Sequence, residues 1–155
     1  MNCFFFTNFS KSFFLLLIIF FSTTFTAFAE PGVSVFMYHR FGEEKYPSTN
    51  VTEKQFLSHL EYILKNKIKI LSLDEIVEKL DRNEKFNEKA IAFSVDDAYS
   101  SFYEIAWPLL RDNNIPVTLF VSTDIIDKKT KGYMTWPEIK QFIDEGGIVG
   151  QHTAA

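Results

Sequence analysis

The order of apolar and polar residues predicts an α/β fold built on a parallel sheet or barrel. Two observations carry this. Short β-rich runs alternate with segments whose apolar residues recur at helical spacing, and the connections between them are short. One of the runs, Ala90-Ile91-Ala92-Phe93-Ser94-Val95, is apolar nearly throughout, as expected of a strand buried on both faces of a parallel sheet.

The elements follow in order. Val33-Ser34-Val35-Phe36-Met37-Tyr38 is a first strand. Gly42, Pro47, Ser48 and Asn50 make residues 40–50 a loop. Thr52 and Gln55 have capping-box spacing, so a helix starts at Thr52. Phe56, Leu57, Leu60, Ile63 and Leu64 give that helix one apolar stripe. Ile68-Lys69-Ile70-Leu71 is a second strand, and Ser72 with Glu75 caps the helix after it. Residues 90–95 form the third strand. A helix over roughly 100–113 turns Ile105, Ala106, Leu109 and Leu110 inward, and Pro108 bends it by removing a helical hydrogen bond. Pro116-Val117-Thr118-Leu119-Phe120-Val121 is a fourth strand. Thr135 and Glu138 cap a last helix with Pro137 in its first turn; Gly146-Gly147 ends it, and Ile148-Val149 opens a fifth strand.

The first 29 residues stand apart. Lys11 and the terminal amine precede the apolar run Phe13 to Phe21, and Ala27-Phe28-Ala29 places small residues where a signal peptidase reads. The run is shorter than the about 20 residues of a membrane span. Residues 1–29 therefore read as a signal peptide and 30–155 as one exported domain, periplasmic or extracellular. Membrane attachment is expected only if the segment stays uncleaved. Cys3, the single cysteine, precedes the apolar run, so cleavage leaves no disulfide and no cysteine chemistry. The net charge of −4 gives no footprint for nucleic acid.

In parallel α/β folds chemistry sits at the C-terminal ends of strands. Three strand ends here carry polar residues of catalytic type: Tyr38-His39-Arg40, Asp96-Asp97 and His152-Thr153. Two adjacent carboxylates after a buried strand are costly without a use, since they repel and burial disfavours both charges. The bland reading is a solvated turn or helix cap, and a lone His152 near a chain end is more often a surface residue. Together, an Asp and a His on neighbouring strand ends can bind a divalent metal, with a second carboxylate to take a proton from water.

Phe93-Ser94-Val95-Asp96-Asp97-Ala98-Tyr99 resembles the first motif of the polysaccharide deacetylase family, also called NodB-like or carbohydrate esterase family four. Gly150-Gln151-His152-Thr153 resembles the start of its second, His-Ser/Thr-any-any-His. The strand at 35–40, the segment 114–121 and the helix from Thr135-Trp136 are similar to its surrounding elements, so the likeness runs over residues 33–155. The resemblance implies the N-terminal part of a distorted (β/α) barrel, truncated after about the fifth strand. It implies Asp96 as catalytic base, Asp97 and His152 as ligands of a divalent metal, most often zinc, and Thr153 as a residue steadying the loop. His39, at the end of the first strand, is a candidate for the active-site rim, with a structural role as the alternative. The implied activity is removal of N-acetyl groups from an N-acetylglucosamine-containing glycan. Two departures stand out. Ala98 occupies a position where the family usually has Gly, and a positive φ there would strain it. The chain also stops at Ala155, where the second metal histidine should follow. On this reading the third ligand is missing and the chain is inactive as written, or is a degenerate non-catalytic glycan binder.

Two other classes fit less well. A phospho-receiver domain also carries Asp-Asp after a buried strand, but works in the cytoplasm and needs a later acceptor Asp. A glycoside hydrolase sets its carboxylates about 5 Å or more apart across a bond, which an adjacent pair does not suit. The export reading predicts that N-terminal sequencing of the secreted protein starts at Glu30. A membrane-resident protein still starting at Met1 would support an anchor instead.

Overall fold

A computed structural model describes residues 31–153; the signal-peptide reading of residues 1–29, with Cys3, lies outside the described residues. Pro31–Ala155 forms one compact unit. Its strands are β1 (Val33–Tyr38), β2 (Arg40–Phe41), β3 (Asn50–Val51), β4 (Lys69–Ile70), β5 (Ala90–Asp96), β6 (Val117–Val121) and β7 (Ile148–Gln151). Its helices are α1 (Glu53–Lys65), α2 (Leu73–Asp81), α3 (Trp107–Asp112), α4 (Thr123–Asp127) and α5 (Trp136–Asp144).

The main sheet is parallel, in the order β1-β5-β6-β7. β5 is its axis. β1 pairs along one edge of β5, from Val33 opposite Ala90 to Tyr38 opposite Val95. β4 pairs with Ala90 and Ile91, and β6 takes over from Phe93 to Asp96. Because β1 already occupies one side, β4 and β6 share the other. Every residue of β5 is buried, as its near-continuous apolar run predicts.

All three capping boxes form. Thr52 with Gln55, Ser72 with Glu75, and Thr135 with Glu138 each satisfy the free backbone N–H groups of a first turn. The α1 stripe is narrower than expected. Phe56, Leu60 and Ile63 are buried, while Leu57 and Leu64 stay exposed at its flanks. Residues 40–50 hold more than a loop: β2 and β3 pair in a small parallel sheet. α4, too short to leave a periodic signature, was not anticipated.

The helix before β6 differs in kind from the regular one expected. Phe102–Ala106 is a π-helical turn running into α3, with the Trp107 N–H bonding five residues back to the Phe102 carbonyl. The widened turn stands directly before Pro108, whose ring would otherwise clash with a carbonyl four residues back. The inward face is also larger than predicted. Phe102 and Trp107 join Ala106 and Leu110 in the core, whereas Ile105 and Leu109 are only partly buried.

Phe102, Trp107 and Phe142 pack edge-to-face, which locks α3 to α5. A polar clasp closes the same contact. Glu145, just past α5, accepts hydrogen bonds from Trp107 Nε1 at 2.8 Å, Arg111 Nη1 at 3.0 Å and Gln141 Nε2 at 2.8 Å. These bonds, Gln141's foremost and then those of Trp107 and Arg111, hold its carboxyl down at about 2 against an ordinary 4.5. A lowered carboxyl pKa stabilises the fold above the ordinary value and loses that contribution as pH falls through the folded one. The stability advantage of wild type over Glu145→Gln should therefore be constant near neutrality and shrink from about pH 4.5 to pH 2. Denaturant midpoints across that range measure it; a difference that grows toward acid would contradict the assignment.

Candidate active site

Parallel register brings three strand ends level. Tyr38 stands opposite Val95, so His39 follows β1 where Asp96 closes β5. Asp96 stands opposite Phe120 on β6, and Phe120 opposite Gly150 on β7. His152 follows β7 and continues its pairing through a backbone hydrogen bond to the Val121 carbonyl. The result is a carboxylate between two imidazoles. Asp96 Oδ2 lies 3.6 Å from His152 Nε2 and 4.0 Å from His39 Nε2. Both separations exceed hydrogen-bond length, and the Asp96 side chain is only 12% exposed.

Asp97 sits differently. Strand geometry ends at Asp96, and Asp97 and Ala98 both adopt left-handed backbone, with φ of 69° and 53°. A short polar side chain tolerates that region; a methyl group does not. Ala98 does adopt a positive φ, the one of the two cases left open by the sequence in which this departure is strained. Asp97 is half-buried and has no hydrogen bond or ion pair to His152; its clearest electrostatic neighbour is Tyr99. Burial first, then Tyr133 and Asp97, push the Tyr99 phenol well above its ordinary range, so it stays a neutral donor. Thr153 approaches the Ser122 hydroxyl at 3.5 Å, which ties the segment after β7 to the end of β6.

Around this turn is a set of residues that sequence reasoning missed. The Arg40 guanidinium lies between two rings, 3.5 Å from the Tyr99 centroid and 3.9 Å from that of Tyr46. Tyr99 in turn packs on Tyr133 at 4.6 Å between centroids. Arg40 Nη1 bonds Glu43 Oε2 at 2.7 Å, and Glu43 Oε1 accepts from the Ser101 hydroxyl at 2.6 Å. Ser101 Oγ accepts from the Phe41 N–H. Two backbone bonds pin the turn from the other side, Met134 N–H to the Ala98 carbonyl and Ser100 N–H to the Gly132 carbonyl. Arg40, Glu43 and Tyr46 lie within one short segment, but Ser101 is 58 positions from Glu43 and 60 from Phe41, too far for a local pattern to show.

His59 is exposed on α1 and pairs its Nδ1 with the Tyr38 hydroxyl at 2.9 Å. Burial raises that phenol to about 12, so it too stays neutral. Among the described residues no three His, Cys, Asp or Glu side chains are grouped to hold a metal ion. His39, Asp96 and His152 meet pairwise at one oxygen without forming a cage. The donors present suit a divalent ion in kind and fall short in arrangement and number.

Residues 83–155 match the family model described as polysaccharide deacetylase, so the resemblance read from the sequence is supported over this segment. A poly-β-1,6-N-acetyl-D-glucosamine N-deacetylase of Staphylococcus epidermidis is 27% identical over 85 residues, 55% of this chain and 29% of that one. Among solved structures, IcaB from Ammonifex degensii superposes with a TM-score of 0.71 at 25% identity, over 79% of this chain and 53% of that one. The Streptococcus pyogenes deacetylase PplD, in complex with acetate, gives 0.68 at 22% identity, over 80% and 57%. The chain spans less than half the length of the curated relatives it matches. The expected mixed α/β fold with its parallel sheet is thus the deacetylase fold.

Ala98 offers a direct test of the turn. Replacing it with Gly relieves roughly 1–2 kcal/mol of left-handed strain. The same change gives up about 0.8 kcal/mol of buried methyl and about 0.5–1 kcal/mol of chain entropy. Ala98→Gly should therefore stay within about 1 kcal/mol of wild type, since the effects offset. Ala98→Val adds a β-branched side chain where there is no exposed surface, and should lose about 2 kcal/mol or more. Equilibrium unfolding of the two variants distinguishes these outcomes; a Val variant as stable as wild type would mean the turn is not left-handed.

Proposed function

We propose that this chain carries the catalytic half-site of a metal-dependent deacetylase acting on an N-acetylglucosamine-containing polysaccharide. The observation that carries this reading is the Asp96 carboxylate, nearly buried at the end of β5 and flanked by His152 and His39, in the segment that matches the polysaccharide deacetylase family model. Asp96 is the general base. It accepts a proton from the water that attacks the acetamide carbonyl, and its partial burial keeps bulk water from competing for that role. His152 and His39 flank the carboxylate, one on each side. The proton then passes to the amide nitrogen as the C–N bond breaks, so that one water and one acetamide yield acetate and a free amine.

Asp97 and His152 are the proposed metal donors, with zinc the favoured ion; when bound, it would polarise the acetyl carbonyl. A third donor would come from outside the described residues. Thr153, through Ser122, steadies the segment that presents His152. The relatives' named substrate, poly-β-1,6-N-acetyl-D-glucosamine, is the first candidate glycan, and a cell-envelope location suits such a polymer. Among the described residues no helix is long and apolar enough to cross a membrane.

The test is acetate release from β-1,6-linked N-acetylglucosamine oligomers. It is assayed on the chain joined to the C-terminal portion of an active relative, which supplies the further donor. Turnover should require added zinc and stop on chelation. Asp96→Asn should lower turnover by about 10²-fold or more while zinc stays bound, because it removes a base and leaves the donors. Asp97→Ala should lose zinc and turnover together. If Asp96→Asn instead releases zinc and Asp97→Ala retains it, the two roles are reversed. A folded, zinc-loaded protein with no activity on any N-acetylated glycan would overturn the deacetylase reading.

A further inference from the structure

The loop that pins the Asp97-Ala98 turn also builds one side of a groove that the proposed chemistry does not use. The groove has a volume of about 640 Å³ and lies between α4 and the start of α5. Ile126 and Met134, both buried, form its floor. Tyr133 and Trp136 form its walls, and Lys129 and Lys131 stand on its rim. The volume is that of a ligand site of a few sugar rings, and an apolar floor with few polar groups is the usual make-up of one.

Trp136 is the feature that needs an explanation. It is 45% exposed, yet it is not loose. Its indole N–H donates to Asp127 Oδ1 at 2.8 Å, which fixes the ring against the groove. An exposed indole held by its own N–H is a platform, and the apolar C–H face of a hexosamine ring is what such a platform takes. Two of the groove's residues also touch the Asp97-Ala98 turn and the tyrosine after it. Tyr133 packs on Tyr99, and the Met134 N–H bonds the carbonyl of Ala98 itself.

Charge selects among glycans. The one carboxylate on the groove, Asp127, is committed to Trp136, while two ammonium groups line the rim. Glucosamine carries an ammonium and is repelled there; N-acetylglucosamine is neutral, and its acetyl methyl suits the Ile126–Met134 floor. We propose that this groove is a distal glycan subsite that binds N-acetylated hexosamine units and rejects de-N-acetylated ones. The proposal rests on the deacetylase reading of the neighbouring turn. A polymer seated here would present still-acetylated segments to Asp96 and let product segments go.

The two tryptophans make the test selective. Trp107 is buried, so a change in intrinsic fluorescence on adding a glycan reports on Trp136. Titrating the full chain at about pH 6 with N-acetylglucosamine pentamers should shift its emission to the blue. The fully de-N-acetylated pentamers, charged at that pH, should bind about tenfold or more weakly. Trp136→Phe should abolish the signal, and Trp136→Ala should weaken pentamer binding by roughly tenfold, followed by calorimetry. Lys131→Glu changes an exposed residue and should reverse the preference toward the de-N-acetylated pentamer. No emission change up to about 1 mM pentamer, or equal affinity for the two forms, overturns the proposal. Acetate release is read separately, by the chimaera assay above. Acetate with a silent Trp136 sinks the groove and leaves the deacetylase reading; a responding Trp136 without acetate does the reverse.

Discussion

Every side chain given a chemical role here is hung from the last residue of β5. That strand is hydrogen-bonded on both edges and buried on both faces, so its end cannot drift without breaking the sheet. Parallel pairing then fixes what lies beside it. Once Tyr38 is opposite Val95 and Phe120 opposite Asp96, His39 and the stretch leading to His152 arrive at the same level with no further specification. The site is a consequence of register, and a one-residue slip of β1 or β7 would turn a histidine to the wrong face of the sheet.

Adjacent carboxylates would repel on such a rigid strand, and the backbone resolves the conflict. Alternation along a strand separates neighbouring side chains, and two successive left-handed residues carry the chain away immediately after Asp96. The outcome is visible in their partners. Asp96 faces two histidines, Asp97 interacts with Tyr99, and they share neither. The strain at Ala98 is held by surrounding structure: the Met134 and Ser100 backbone bonds on one side, and the Glu43–Ser101 contact on the other.

What was legible in the sequence follows a physical division. Caps are local, so Thr52, Ser72 and Thr135 could be read with their partners three residues on. The burial of β5 could be read because both faces must be apolar. The width of an apolar stripe depends on what packs against it, which is why Leu57 and Leu64 looked like core and are exposed. The π-turn before Pro108 is one of several ways to accommodate the ring, and the sequence said only that regular helix would fail there. The site divides in the same way. Asp96 and His152 were legible from strand ends and motif, whereas the approach of His39 to Asp96 and the Arg40 sandwich depend on contacts across 57 and 59 positions.

The Arg40 sandwich bears on how the turn is held. The sandwich and the groove are joined through one ring: Tyr99 stacks under Arg40 and against Tyr133. The loop after β1 and the loop before α5 therefore both reach the Asp97-Ala98 turn through the same side chain. Neutrality of that phenol matters to the arrangement, because a phenolate beside Asp97 would repel it, and the raised pKa of Tyr99 excludes that state at ordinary pH. Glu43 completes the balance of charge. It takes up the Arg40 cation at 2.7 Å, so the guanidinium contributes its flat face to the stack with its charge already paired. Among the described residues the ion-pair partners of Asp96 are imidazoles, which suits the proton-accepting role proposed for it better than a permanent cation would.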